Sequence, residues 1–149
     1  MNIGDPAYWE TRYQTELAKL VTFQLFDWYC PSTSIFPLIE TLFDNSHLSQ
    51  KILVIGIGRS DVIDYLYRKG YRDITGIDIS PTVIFEMRKK YESLIGVELF
   101  VMDTRQLIKF VDNTFTMVFD KACIDALFCG TDYMDSVLQV FDHYLSSLY

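Results

Sequence analysis

Apolar strand-like segments alternate with amphipathic helical segments from residue 51 to the end of the chain. The first of them, Lys51–Ile55, is a continuous aliphatic run, which is typical of a strand buried on both faces of a sheet. Further elements are predicted as strands at 74–78, 97–102 and 115–119, and as helices at 61–69, from Ser80-Pro81 onward, and at 132–148. Strands that alternate with helices imply right-handed crossovers and a parallel sheet. The sequence therefore predicts an α/β fold with a doubly wound, mostly parallel sheet.

The 149 residues are predicted to form a single domain, because a chain of this length is of ordinary size for one hydrophobic core. Residues 49–149 are predicted to form the α/β core, and residues 1–48 to supply N-terminal helices and an aromatic lid. This N-terminal part is divided into a helix at 5–20, an aromatic loop at 21–34 and a second helix at 35–45. Two helices are expected to bury apolar stripes: Ile35, Leu38, Ile39 and Leu42 in the second, and Met134, Val137, Leu138, Phe141 and Leu145 in the last.

The balance of charged residues argues against some partners. Lys and Arg number 13 against 20 Asp and Glu, which gives a formal net charge of −7. A net acidic domain is a poor candidate for binding a nucleic acid backbone, and suits a basic protein partner or a small molecule better. No apolar run reaches the roughly 18 residues that a membrane-spanning helix needs. We therefore expect neither nucleic acid nor membrane as a partner.

The cysteines and histidines form no metal-binding or disulfide pattern. Cys30, Cys123 and Cys129 include no C-x-x-C pair, and His47 and His143 have no ligand-like neighbours. We expect no metal site, and the reduced thiols of a cytoplasmic protein.

A glycine turn and three acids lie at the carboxyl ends of the predicted strands. Gly56-Ile57-Gly58 follows the first strand, and Asp78, Asp103 and Asp120 mark the ends of the other three. In an open α/β sheet, ligands bind at this edge. Asp78 lies 20 residues after Gly58, where an acid accepts hydrogen bonds from the two hydroxyls of a ribose. The alternative for each acid is an ordinary residue at a strand end or helix start.

The residue at position 61 favours S-adenosylmethionine over NAD as the ligand. Dinucleotide-binding turns carry a third glycine there, whereas this chain has Asp61, whose carboxylate would repel a pyrophosphate. The same acid is tolerable beside a cationic sulfonium. Met102 lies where a thioether packs on an adenine face, and Asp103 where a carboxylate accepts from the adenine amino group; the alternative is a buried Met and a strand-end acid. Asp120-Lys121 would line the floor beside the reactive methyl group, or form a local ion pair.

Several segments of this chain carry a resemblance to a known family. They are Tyr8-Trp9-Glu10-Thr11-Arg12-Tyr13, Phe26-Asp27-Trp28-Tyr29, Ile52-Leu53-Val54-Ile55-Gly56-Ile57-Gly58-Arg59-Ser60, Gly70-Tyr71-Arg72-Asp73-Ile74, Ile77-Asp78-Ile79-Ser80, Met102-Asp103 and Phe119-Asp120-Lys121-Ala122-Cys123-Ile124-Asp125-Ala126-Leu127. Together they resemble the seven-strand S-adenosylmethionine-dependent methyltransferases of the elongation factor 1-alpha lysine methyltransferase group. The resemblance covers about residues 1–145. Its specific parts are the tyrosine–tryptophan pattern before the glycine motif and the Asp-Lys and Asp-Ala-Leu segments after it.

The resemblance implies a Rossmann-like class I methyltransferase fold, with S-adenosyl-L-methionine as cofactor and S-adenosyl-L-homocysteine as product. It also implies a cofactor site of stated composition: Trp9 and Tyr13 as a cover, Gly56 and Gly58 at the methionine end, Asp78 at the ribose, Ile79 beside the adenine, Asp103 and Thr104 at the adenine edge, and Lys121 beside the site.

The substrate side is predicted less directly. Trp28 and Tyr29 could form a channel wall in which an aromatic cage holds a lysine ammonium by cation–π contact, or they could belong to a hydrophobic lid on the sheet. Asp120 or Asp125 could order the substrate amine or accept its proton. The resemblance implies a protein-lysine N-methyltransferase acting on elongation factor 1-alpha or a similar basic protein. The alternatives are a non-catalytic module that binds the cofactor or a protein, a small-molecule methyltransferase and an NAD-dependent oxidoreductase.

Two departures from the family pattern bear on this interpretation. The family motif Gly-Cys-Gly-Asn-Ser becomes Gly-Ile-Gly-Arg-Ser here, so Arg59 lies close to a cationic cofactor and should weaken binding unless it points away or pairs with Asp61. The family fold also has about three more strands, which follow the helix at 132–148. Without them the fourth strand is predicted to be an uncovered sheet edge, through which the protein could self-associate.

Overall fold

The computed structural model describes residues 2–19, 23–39, 49–107, 110–111, 113–131 and 133–148. In chain order the elements within these ranges are α1 (Pro6–Lys19), α2 (Ser32–Ile39), β1 (Lys51–Ile55), α3 (Val62–Arg68), β2 (Asp73–Asp78), α4 (Pro81–Tyr91), β3 (Val97–Val101), β4 (Met117–Asp120), α5 (Cys123–Phe128) and α6 (Tyr133–Leu148). None of the helices in the described part of the chain is long and apolar enough to cross a membrane.

The four strands form one parallel sheet in the order β3-β2-β1-β4, which confirms the predicted α/β architecture. β1 lies in the middle, with Ile55 opposite Ile77 of β2 and Asp120 of β4. The carboxyl ends of β1, β2 and β4 therefore meet at one edge of the sheet. β3 and β4 are the outer strands of the sheet as described.

Alternate residues of β1 face opposite sides of the sheet, and each side has its own core. Ile52 and Val54 pack among residues of α3 and α4, together with Phe36 of α2. Leu53 and Ile55 pack on the other side, against a cluster that includes Val140 of α6. Helices cover both faces, as expected of a doubly wound sheet whose strands are buried on both sides.

Two predicted apolar stripes differ from the buried faces of the helices. α2 begins at Ser32 and buries Phe36, while Leu38 is 78% exposed. On α6 the buried apolar residues are Val137 and Val140. The predicted stripe residues Met134, Leu138 and Phe141 of α6 are each about half exposed, because the side of this helix that faces the core carries Val137 and Val140 instead. The predicted contacts of Ile39, Leu42 and Leu145 lie outside the described side chains.

Helix α5 was not predicted from the sequence. It has only six residues, and its N-cap residue Ala122 has a left-handed φ of 76°. The sequence has no capping side chain at position 122, and the helix is too short to show an apolar stripe, so no sequence pattern predicts it. α5 nevertheless matters for the site, because it starts directly after the carboxyl end of β4.

Candidate functional site

A cleft of about 820 Å³, including its open mouth, lies at the carboxyl edge of the sheet. The walls come from α1, the loop before α2, the glycine turn after β1, the residues after β2 and β3, and the start of α5. Sequence-distant segments therefore converge on one concave site.

All the residues predicted to bind the cofactor line this cleft. Its lining includes Trp9, Tyr13, Gly56, Gly58, Asp78, Ile79, Met102, Asp103, Thr104 and Lys121, together with Trp28 from the predicted substrate wall. Three predicted residues, Tyr29, Asp120 and Asp125, are not part of this lining. The proposed cofactor side is thus assembled, whereas the proposed catalytic carboxylates lie behind or beside it.

The glycine turn brings the backbone close to neighbouring side chains. Gly56 and Gly58 have φ values of +55° and +48°, a region that side-chain-bearing residues rarely adopt. A Cβ atom at Gly56 would lie 2.6 Å from Cβ of Cys123, and one at Gly58 would lie 2.8 Å from the hydroxyl oxygen of Tyr13. Glycine is therefore required at both positions for geometric reasons.

Asp78, the last residue of β2, is held in place by backbone hydrogen bonds. Its carboxylate accepts from the N–H of Gly58 at 2.9 Å and from the N–H of Ser80 at 3.0 Å. Burial raises its pKa to about 6, although these hydrogen bonds act in the opposite direction. The residue is 6% exposed. It is a fixed acceptor in the cleft wall, with lone pairs left for further donors.

Asp103 forms an ion pair with Arg105, two residues further on. Both carboxylate oxygens accept from the guanidinium, with the shortest contact at 2.6 Å from Nη2 of Arg105, and the backbone N–H of Arg105 donates at 2.9 Å. Burial would raise the pKa of Asp103, but these hydrogen bonds outweigh it and hold the pKa below its ordinary value. Asp103 therefore stays an ionised acceptor at the predicted adenine end of the cleft.

The two predicted catalytic acids have different surroundings. Asp120 caps α5, because one of its oxygens accepts from the N–H groups of Cys123 and Ile124, both at 3.1 Å. Burial, with a contribution from the nearby Asp125, raises the pKa of Asp120 to about 6. Asp125 lies exposed on the first turn of α5, and its carboxylate near the Tyr29 hydroxyl raises the pKa of that tyrosine. Tyr29 itself is 72% exposed and has a left-handed φ of 66°.

Arg59 does not pair with Asp61. Its guanidinium is buried and contacts Glu86 of α4 at 2.8 Å and Glu16 of α1 at 2.9 Å. Asp61 instead accepts from the backbone N–H of Ser32 at 3.0 Å. The positive charge of Arg59 is therefore neutralised by two carboxylates. This pairing offsets the weakening of cofactor binding that was expected from a cation in the glycine motif.

The aromatic wall already contains a cation of the chain itself. The Arg12 guanidinium lies 5.2 Å from the ring centre of Phe26, 5.3 Å from that of Trp28 and 5.6 Å from that of Trp9. All three rings line the cleft. At Trp28, Arg12 thus occupies the cation–π position that the sequence suggested for a substrate lysine. The contacts of its guanidinium with the three rings join α1 to the loop before α2.

Sequence reasoning missed two acids that hold the N-terminal part against the core. Glu10 accepts from the Ser80 hydroxyl, and from the Thr82 hydroxyl at 2.6 Å and the Thr82 N–H at 3.3 Å. Asp27 pairs with Lys121 and accepts from the Ser60 hydroxyl. Both acids lie within the segments that carried the family resemblance, which was the only signal available for them.

The cations of the cleft lining are all paired with carboxylates. Arg59 pairs with Glu16 and Glu86, Arg105 with Asp103, and Lys121 with Asp27. Asp78 is held by backbone N–H donors. Within the described residues the lining therefore offers no unpaired cation for a pyrophosphate, and no cluster of three or more His, Cys, Asp or Glu side chains is placed to hold a metal ion.

Comparison with known proteins supports the expected family. The chain is 36% identical, over 97% of its length, to the eEF1A lysine and N-terminal methyltransferase of Mus musculus, and it covers 19% of that protein. It is 31% identical over 83% of its length to EEF1A lysine methyltransferase 4 of Bos taurus, covering 45% of that protein. The chain thus spans about a fifth of the first of these relatives and under half of the second.

The fold is shared with solved methyltransferases. An S-adenosylmethionine-dependent methyltransferase from Mesorhizobium loti superimposes with a TM-score of 0.60 at 16% identity, over 76% of this chain and 47% of that one. A family model described as a methyltransferase domain matches residues 52–146, which include the glycine turn and all of the strands. The chain therefore belongs to the methyltransferase domain family.

Proposed function

We propose that this protein is a protein-lysine N-methyltransferase that uses S-adenosylmethionine and acts on a basic protein of the elongation factor 1-alpha type. The observation that carries the proposal is the convergence of the predicted cofactor residues on one cleft in a methyltransferase domain. The substrate class is supported by relatives named as eEF1A lysine methyltransferases and by the net charge of −7, which favours a basic partner.

The residues of the cleft fit the cofactor. Gly56 and Gly58 line the cleft and would lie at the methionine end of the molecule. Asp78 would hold the ribose hydroxyls, with Ile79 and Met102 against the adenine and the Asp103–Thr104 segment at its edge. Trp9 and Tyr13 would cover the bound molecule from α1. The cofactor supplies an activated methyl group that is an intrinsically good electrophile.

The charge distribution favours this cofactor over NAD. A pyrophosphate is bound most readily by unpaired cations or by a helix N-terminus without nearby acids. Here the cations that line the cleft are paired, and Asp61 stands at the start of α3. Asp78 adds negative charge, which complements a sulfonium. An NAD-dependent oxidoreductase is therefore not the function that we favour.

The chain's own task is to position the substrate amine and to exclude water. We assign the amine-facing role to Asp125, whose carboxylate is exposed beside Ala126 and Leu127 of the cleft lining. It would order the lysine ammonium and accept the proton lost before attack. Asp120 would have a structural role: its hydrogen bonds fix the first turn of α5 and thereby the position of Asp125.

Binding and transfer are tested separately. Calorimetric titration should show saturable binding of S-adenosylmethionine but not of NAD, and Asp78→Ala should abolish binding. The exposed acid Asp73, at the opposite end of β2, provides the matched control variant Asp73→Ala. Transfer is then followed with tritiated cofactor on purified elongation factor 1-alpha, with its candidate lysines replaced one at a time. Cofactor binding without label on any protein would favour a non-catalytic module, and label on small amines alone would favour a small-molecule methyltransferase.

Two further parts of the prediction remain proposals. A second copy of the chain could pair at the outer edge of β4, which sedimentation velocity at several concentrations would detect. A cytoplasmic location would follow from a cytoplasmic protein substrate, and fractionation of cells that express the protein would test it.

A further inference from the structure

Asp27 joins three parts of the molecule that lie far apart in the sequence. Its carboxylate accepts from the Ser60 hydroxyl and the Lys121 ammonium, and from the backbone N–H of Asp61 at 3.3 Å. Ser60 and Asp61 follow the glycine turn, and Lys121 follows β4. Residues 23–31, the described part of the aromatic loop that precedes α2, are therefore fixed by Asp27 to both sides of the cleft.

The ion pair between Asp27 and Lys121 is largely shielded from water, so its loss should have a large effect on the position of the loop. The side chains of Asp27 and Lys121 are 10% and 7% exposed. The ammonium also contacts the backbone oxygens of Trp28 at 3.5 Å and Cys30 at 3.4 Å. If Asp27 lost its charge, Lys121 would remain in an enclosed position without a carboxylate, which is costly for an ammonium group. Opening of the loop to water would relieve that cost.

The neighbours of Asp27 in the sequence form part of the cleft wall. Phe26 and Trp28 both line the cleft, with ring centres 5.6 Å apart. The N–H of Phe26 donates to the backbone oxygen of Arg59 at 2.9 Å, which docks the loop on the glycine turn. The Asp27 carboxylate lies between these two residues in the sequence and is therefore placed to help hold both rings at the cleft.

We propose that Asp27 is the positioning residue that closes the aromatic loop over the cofactor cleft, by pairing with Lys121 and Ser60. Asp27 contacts neither the proposed cofactor position nor a reacting atom; it acts through Phe26 and Trp28, which would slow the escape of bound cofactor. The effect on cofactor release rests on the proposed function, whereas the closure of the loop does not.

The rest of the N-terminal part has its own anchors. Glu10 binds α1 to the start of α4, and Arg59 joins Glu16 of α1 to Glu86 of α4. Loss of the Asp27 contact should therefore open the loop locally and leave α1 docked. This separation makes a specific test possible, because a global loss of structure would affect different amide protons.

The test combines amide hydrogen exchange of the cofactor-free protein with release of S-adenosylhomocysteine followed by stopped flow. The variants are Asp27→Asn, Lys121→Met and the double variant, and the control is Asp73→Asn. We expect the Phe26 amide to exchange about tenfold faster or more in Asp27→Asn and faster in Lys121→Met. The double variant should exchange no faster than Asp27→Asn, because both changes break the same pair and the double variant leaves no unpaired ammonium. Amides of β1 should keep their protection, and S-adenosylhomocysteine should leave about tenfold faster.

Three results would overturn the proposal: an unchanged Phe26 amide in Asp27→Asn, equal acceleration at β1, or effects of the two single changes that simply add. Unchanged release from an opened loop would also contradict the role in retention. If the unaltered protein binds no S-adenosylhomocysteine, the proposed function fails, but the exchange measurements still decide whether Asp27 closes the loop.

Discussion

Arg59 and Glu86 form a buried ion pair in which two guanidinium nitrogens of Arg59 donate to a single carboxylate oxygen of Glu86, at 2.9 and 2.8 Å. The side chains are 2% and 8% exposed, so the pair is shielded from water. Arg59 follows the glycine turn and Glu86 lies on α4. A third partner, Glu16, belongs to α1. The network therefore connects α1, which lies over the cleft, to the glycine turn and to α4.

Replacing Arg59 with Asn, the residue usual in the family motif, should destabilise this protein. The change leaves Glu86 buried without its cation, a situation that typically costs about 3–5 kcal/mol. Urea unfolding of Arg59→Asn should show a loss of this order, whereas Glu16→Gln, at a more exposed acid, should lose far less. A double variant, Arg59→Met with Glu86→Leu, should recover much of the loss because no unpaired charge remains. Equal stability of Arg59→Asn and the unaltered protein would contradict the network.

The close approach of Tyr13 to Gly58 leads to a second prediction. Gly58→Ala should weaken cofactor binding about tenfold or more and should also lower the stability of the fold. A left-handed φ costs a non-glycine residue about 1–2 kcal/mol. In addition, the new Cβ would lie 2.8 Å from the Tyr13 hydroxyl. In a Tyr13→Phe background the clash disappears and only the conformational cost remains, because the next ring atom lies 3.9 Å away. Calorimetric binding and thermal unfolding of the four proteins separate the two contributions. Identical losses in both backgrounds would exclude the clash.

The strand pattern and the site edge could be predicted for a clear physical reason. The four residues 52–55 of β1 are all buried in the sheet and all apolar, and the turn after them needs glycine because of its backbone angles. Asp78 follows from the same topology, since parallel neighbours end at one edge. Local pattern and sheet geometry together placed these residues correctly.

The contacts between the N-terminal part and the core could not be predicted in the same way. Asp27 and Lys121 are 94 positions apart, and Arg59 and Glu86 are 27 apart. No spacing rule connects such residues, because the pairing depends on how α1 and the aromatic loop pack over a finished sheet. The expected Arg59–Asp61 pair failed for this reason: two carboxylates from other helices reach the guanidinium, while Asp61 caps the start of α2.

Cofactor binding should depend on the ionisation of Asp78. Burial raises its pKa to about 6, and the ionised form is the one that accepts hydrogen bonds from a ribose. The affinity for S-adenosylhomocysteine should therefore fall as the pH decreases through about 6. Without ligand, the stability of the fold changes with pH in the opposite direction. The folded protein holds the Asp78 proton more tightly than the unfolded chain does, because the pKa of Asp78 is higher in the folded state. Ionised Asp78 therefore opposes folding above about pH 6, and this cost is gone below pH 3.8, the ordinary pKa of the group.

The pH measurement needs a control, because Asp120 also has a pKa of about 6. Titration of Asp120→Asn with S-adenosylhomocysteine between pH 5 and 8 should retain the fall in affinity near pH 6. In Asp78→Asn the affinity should be low throughout, without that step. A step that disappears in Asp120→Asn instead would assign the titration to the cap of α5 and not to the ribose acceptor.

The last prediction separates the roles proposed for the two acids of α5. Asp125→Asn removes an exposed carboxylate that contributes no hydrogen bond to the start of the helix, so stability and S-adenosylhomocysteine affinity should change little. If Asp125 orders the amine and accepts its proton, the rate of methyl transfer should fall about 10²-fold or more. Asp120→Ala should instead lower the unfolding midpoint, because the N–H groups of Cys123 and Ile124 lose their acceptor. Transfer measured in single turnovers with pre-bound cofactor gives the comparison. A normal rate in Asp125→Asn would remove this residue from the mechanism and leave the positioning of the amine to the walls of the cleft.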